Sequence, residues 1–191
     1  MIIRTSSTGF RFRYVALPVL VVVVAFTWVA NYGYCAAKKE TYYGFHGHLL
    51  ISASGIITSF TLTSGSGDER KAIWDIVGLI QGLVIGDKGY ISATLRQELA
   101  RYGIDLQTAL RSNMQDSRPK EWVKLLQTVR RLIETVIGQL SDRFNIEKVW
   151  ARDMWHLTSR LNRKLLAHTV CVWLNRLFGL EPLQFDGLVT Q

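Results

Sequence analysis

The stretch "GLVIGDKGY", Gly82–Tyr90, decides how the chain is read. Its short apolar run, set off by glycines, has the make-up of a strand covered on both faces. It ends on Asp87, an acid whose removal from water costs free energy unless a cation or donors meet it. A carboxylate at the carboxyl end of a strand lies on the rim where open α/β sheets place ligands. Two readings stand open at this point. Asp87 holds a metal ion, or it merely opens the turn into the helix that Ser92 caps.

Outward from this stretch the pattern alternates. "YYGFHGHLLIS" (Tyr42–Ser52) and "GIITSFTLTS" (Gly55–Ser64) read as strands joined in a hairpin at "ASG". Asp68 then caps a helix in which Ala72, Ile73, Ile76, Leu79 and Ile80 recur at helical spacing. "SATLRQELARYG" is a second helix, with Ser92 as cap and Gly103 as stop. "IDLQTAL" reads as a strand and "RSNMQDSRPK" as a polar loop. From Glu121 onward, Trp122, Leu125, Leu126, Val129, Leu132, Ile133, Val136, Ile137 and Leu140 form the apolar stripe of a longer helix. Another helix follows Arg152, and the tail is irregular. Paired strands followed by alternating helices and strands specify a mixed α/β sheet layered with helices.

A chain of 191 residues with 48% apolar and 20% charged residues holds one domain with a real core and is not disordered. The net charge of +8 favours polyanionic partners, nucleic acid first and anionic membrane second. Cys35 and Cys171 have neither metal-ligand nor redox spacing and read as free thiols. His156, His168 and Cys171 lack zinc spacing. His46 and His48 share one strand face and are expected to be solvated. Trp150, Trp155, Trp173 and Phe178 are expected in the core, not on a base-stacking platform.

Near the start, Arg4, Arg11 and Arg13 precede the apolar "YVALPVLVVVVAFTWVANYGYC" (Tyr14–Cys35), the outline of a secretory signal or anchor. Its uninterrupted part, Tyr14–Ala30, falls slightly short of the ~20 residues that span a bilayer, and valines favour strand over helix in water.

A second acid, Glu134, lies on the shoulder of the long helix's stripe, roughly 120° from its middle at 100° per residue. It is either the partner of Arg130 in an ordinary surface pair or a carboxylate facing a neighbouring strand edge. Basic residues thicken in this half of the chain, as a phosphate backbone requires.

The segments "YYGFHGHLLIS", "GIITSFTLTSGSGDERKAIWDI", "GLVIGDKGY", "LRSNMQ" and "VRRLIETVIGQLSDRFNIEKVWARD" follow in an order and spacing that resembles bacterial insertion-sequence transposases of the Asp-Asp-Glu type. The resemblance covers Tyr32 to Leu188. It implies a ribonuclease H-like fold, a mixed sheet flanked by helices. It also implies DNA transposition by phosphodiester cleavage and strand transfer with Mg²⁺ or Mn²⁺ at a two-metal site. Carried over by position, Asp87 matches the second catalytic acid and Glu134 the third, both as metal ligands. Arg130 matches the arginine of the family's tyrosine–arginine–glutamate–lysine pattern, whose tyrosine and lysine places hold Gln127 and Ser141. Lys88, Arg111, Lys120, Lys124 and Arg131 are the residues expected against the DNA backbone.

The family's first aspartate has no counterpart, since no acid precedes Glu40 and Arg13 or a neighbour stands in its place. The expectation is therefore a degenerate first strand and a divergent segment, 1–31, from a shifted or fused reading frame. Residues 32–191 form an incomplete catalytic domain with reduced or absent catalysis. DNA ends and target are the implied partners, with self-association or association with intact transposase, in the cytoplasm at the nucleoid. The alternatives are a non-catalytic DNA-binding remnant and a protein anchored in the membrane through residues 14–30.

Overall fold

The computed structural model describes residues 2–5, 30–35, 39–78 and 80–188. The apolar run up to Val29, Arg13 and the place of the missing aspartate lie outside these residues, as does Leu79. Among the described residues, no helix is long and apolar enough to cross a membrane.

Ten elements are used below: β1 (Ile2–Thr5), β2 (Asn31–Cys35), β3 (Glu40–Ser52), β4 (Ile57–Ser64), α1 (Glu69–Val77), β5 (Gly82–Gly86), α2 (Ala93–Arg101), β6 (Ile104–Thr108), α3 (Lys120–Asp142) and α4 (Met154–Leu177). The expected hairpin is β3–β4, antiparallel from Phe45↔Ser64 to Ile51↔Ile57. The first half of β3 carries β2 instead, from Asn31↔Gly44 to Cys35↔Glu40. The sheet runs β2-β3-β1-β5-β6, with β4 also on β3.

Strand β5 explains its own sequence. Val84 packs into a core with α1 and α2, alongside Leu50, Ile73, Leu95 and Leu106. Leu83 and Ile85 point the other way, into a core with Leu126, Ile133 and Val136 of α3 and Leu161 and Leu165 of α4. Helices therefore cover both faces, and a strand buried on both faces has no polar alternation to show. The parallel pairing of β5 with β6, Gly82↔Ile104 to Gly86↔Thr108, is the crossover that α2 makes possible.

The helix limits follow local chemistry. Asp68 accepts from Arg70 N–H and starts α1, while the Ser92 side chain accepts from Leu95 N–H and starts α2. Gly103, at φ +74°, stops the segment after α2 in a conformation that a side chain would strain. Helix α1 ends earlier than its apolar spacing predicts. Gly78 takes φ +45° after Val77, so Ile80 lies beyond the helix.

Strand β1 takes the centre of the sheet. It runs parallel to β3 and antiparallel to β5, with Ile2 opposite Gly86 and Thr5 opposite Leu83. Its first residue, not its last, therefore lies toward the rim that carries Asp87.

Three expectations need correction. Trp150, Trp155, Trp173 and Phe178 are all exposed, Trp150 at 85%. Helix α4 is apolar on two faces: Leu161, Leu165 and Val172 point inward, and Trp155, Leu166, Trp173 and Leu177 outward. Residue type alone cannot tell which face is buried. On α3, the stripe is narrower than its sequence, and Leu125 and Ile137 at its margins are exposed. His48 is buried, not solvated, under the turn that follows β5, while His46 remains half-buried beside it.

Candidate active site

Asp87 follows β5 directly and leads into a single 3₁₀ turn, Lys88–Tyr90. As the residue before that turn it forms no side-chain capping hydrogen bond. The side-chain cap of the next helix is Ser92, and Asp87 opens the turn through its backbone alone, its C=O accepting from Tyr90 N–H. Its Oδ1 is buried and has no hydrogen-bond partner, although the side chain as a whole is partly open to solvent. A carboxylate oxygen in that state carries a desolvation cost that a cation relieves.

The cation it faces is Arg130. The Arg130 Nε lies 3.8 Å from Asp87 Oδ1, a distance of ion pairing without a hydrogen bond. The same Nε donates to Glu134 Oε1 at 3.1 Å, one turn further along α3. One guanidinium thus brings together the two acids from different elements. The surface pair Arg130–Glu134 is present as spacing predicts, and it is also part of a larger arrangement that spacing does not reveal.

On its other side Asp87 lines a cavity of about 750 Å³, with His46, His48, Glu69, Tyr90 and Ser141 among the residues of its wall. Glu69 was not singled out in the sequence, because an acid in the first turn of a helix reads as a partner of the helix dipole. In the fold it bends over the turn after Asp87. An added Cβ at Gly89 would lie 1.8 Å from Glu69 Oε2, so only glycine admits this approach. Glu69 Oε1 also lies 3.9 Å from His46 Nδ1.

The rings of His46 and His48 stack with centroids 5.1 Å apart. His48 shares hydrogen bonds of 2.9 Å with the Tyr90 hydroxyl at Nδ1 and with Thr63 Oγ1 at Nε2. Burial lowers the His48 pKa to about 3 and so keeps the ring neutral. Burial also pushes the Tyr90 phenol up, with the Glu69 and Asp87 carboxylates adding to the effect.

The other singled-out residues lie in the turn after β5, in the loop after β6 and on α3. Lys88 follows Asp87 and is half-buried, and Arg111 is exposed in the loop after β6, whose carboxyl end is level with that of β5. Lys120, Lys124 and Arg131 are exposed on α3, within roughly 40° of one another around its axis. Arg118, in the same loop as Arg111, is engaged: it clasps Asp116 through Nε and Nη2 and donates to Thr108 O at 3.0 Å. Cys171 is a free thiol, and the Cys35 side chain lies outside the described residues.

The donor set fits one hard divalent cation. Asp87 and Glu134 offer carboxylate oxygens, one of them buried without a partner. Mg²⁺ is commonly held by one or two carboxylates, completed by water and phosphate. Among the described residues, no group of three or more His, Cys, Asp or Glu side chains is arranged to hold a metal. The described residues therefore supply a carboxylate pair and not the three-acid site that the resemblance implies.

A family model described as transposase DDE domain matches residues 25–154, from the end of the valine run through all of α3. No curated protein and no solved structure matches the chain. The match spans well over half of the sequence and contains Asp87, Arg130 and Glu134. The mixed α/β sheet, with helices on both faces and acids at its rim, is compatible with the ribonuclease H-like fold. The chain belongs to the transposase family that carries the DDE domain.

Proposed function

We propose that Asp87 and Glu134 together hold a divalent cation, Mg²⁺ or Mn²⁺, against the phosphodiester backbone of DNA. The observation that carries this reading is the shared contact of both acids with Arg130. When bound, the cation polarises the phosphodiester and stabilises the leaving oxygen. Asp87 and Glu134 supply the hard oxygen donors for it. Arg130, released from the two acids, pairs with a phosphate oxygen. Arg111, Lys120, Lys124 and Arg131 contact the backbone on the way to the rim, and Lys88 contacts it beside Asp87.

Transposition of DNA is the function of the family, and DNA is its partner. The finer reading is that this chain performs the cleavage step weakly. A site with two carboxylates holds a second metal poorly. This reading includes a divergent segment within residues 1–31, ahead of a catalytic domain that lacks the family's first aspartate. Translation of the upstream DNA in the other two frames tests the frameshift, which fails if neither frame carries an aspartate-bearing family segment.

That no group of three acids is arranged among the described residues also favours a second reading, a non-catalytic DNA-binding remnant that associates with intact transposase. Metal-dependent nicking of supercoiled DNA separates the two. The first reading expects slow nicking that Asp87→Ala abolishes, and nicking that survives this substitution contradicts it. The second expects DNA binding with no nicking at all.

A further inference from the structure

The Asp87 side chain is anchored by no hydrogen bond of its own: it caps nothing, and its buried Oδ1 has no hydrogen-bond partner. Apart from the ion pair with Arg130, where the carboxylate points depends on the backbone that carries it. That backbone is closed by Tyr90, whose N–H donates to Asp87 O at 3.0 Å. Tyr90 is only 1% exposed. It sits against Gly86, where an added Cβ would come within 3.3 Å of Tyr90 Cβ. From there its hydroxyl reaches His48 of β3, and His48 reaches Thr63 of β4.

We propose that His48 and Tyr90 are positioning residues for Asp87. The Tyr90–His48–Thr63 chain ties the turn after β5 to strands β3 and β4 and so fixes the direction of the carboxylate. This inference rests on the reading of Asp87 as a metal ligand. A neutral imidazole has one donor and one acceptor, and both ring nitrogens are used here. Loss of the Tyr90 hydroxyl leaves His48 Nδ1 buried without its partner, and the turn relaxes to relieve it. Groups that orient a metal ligand from behind are worth roughly 10- to 100-fold in metal affinity.

The test uses the full chain, Mn²⁺ as probe, electron paramagnetic resonance for affinity and a thermal melt for stability. An asparagine at 48 places its amide near the position of Nδ1 and keeps the bond to Tyr90. A glutamine places its amide near the position of Nε2 and keeps only the bond to Thr63. The inference expects Tyr90→Phe and His48→Gln to weaken Mn²⁺ binding about tenfold. His48→Asn stays within about twofold of the parent, although both His48 variants melt lower by similar amounts. A purely structural role predicts that affinity follows the melting temperature, so that His48→Asn and His48→Gln lose alike. That result, or Tyr90→Phe binding as the parent does, overturns the inference while Asp87→Asn still abolishes binding. If Asp87→Asn binds Mn²⁺ like the parent, the ligand reading fails and the inference falls with it.

Discussion

Arg130 of α3 reaches Asp87 at the end of β5, its Nε 3.8 Å from Asp87 Oδ1 while it donates to Glu134 at 3.1 Å. The guanidinium takes the place between two acids that a divalent cation would also favour. Arginine and metal therefore compete for the same oxygens. Arg130→Gln is expected to tighten Mn²⁺ binding about two- to fivefold, since an exposed ion pair of this kind is worth up to about 1 kcal/mol. The same substitution weakens DNA binding. Calorimetric titration with Mn²⁺ and a filter-binding series with DNA measure the two effects, and affinity changes of the same sign would contradict the competition.

Glu69 and Gly89 make a second local test. A methyl at Gly89 collides with the Glu69 carboxylate, which is the free end of a flexible side chain and can swing away. Gly89→Ala is therefore expected to cost under about 1 kcal/mol in urea denaturation. In a Glu69→Ala background the cost falls to near zero, since the double-mutant cycle removes the collision. Equal costs in both backgrounds would mean that the Gly89 backbone, and not Glu69, sets the penalty.

The packing of α4 gives a contrast between two apolar residues. Leu165 is fully buried between α4 and the sheet, and Trp150 is 85% exposed. Leu165→Ala is expected to cost about 2–5 kcal/mol and Trp150→Ala under about 0.5 kcal/mol, measured by chemical denaturation.

His168 accounts for part of the acid sensitivity, and the buried His48 adds to it in the same sense. His168 is fully buried, its Nε2 shares a 3.0 Å hydrogen bond with Gln139, and burial lowers its pKa from the ordinary 6.5 to about 4. Between these two values the unfolded chain binds a proton that the folded chain does not, so stability falls as pH drops through that window. At pH 5 the loss is about 2 kcal/mol relative to pH 7. His168→Gln removes this part of the slope in melts run between pH 7 and 5. A variant with the parent's slope would assign the acid sensitivity to other groups.

Much of the fold was legible because its signals are local. The Asp68 and Ser92 caps, the Gly103 stop and the β3–β4 hairpin depend on residues within a few positions of one another. The two-sided burial of β5 was legible for a related reason, since Val84 and Ile85 leave no polar face. Depth was not legible. His46 and His48 share a strand face, yet only His48 lies beneath Tyr90, which arrives from a turn 42 positions away. The outward tryptophans of α4 were misread because apolar residues on both sides of a helix give no direction. At the site, Asp87 and Glu134 were each visible, but their meeting at Arg130 depends on how α3 lies across β5. Glu69 was hidden by its ordinary place in a first helical turn.

The central claim is that Asp87 and Glu134 serve one cation. Isothermal titration of Mn²⁺ into the parent, Asp87→Asn, Glu134→Gln and the double variant tests it most directly. The account predicts that each single substitution weakens binding by about tenfold or more and that the double variant loses little beyond either one. Binding that is unchanged in either single variant, or losses that simply add in the double, would contradict it.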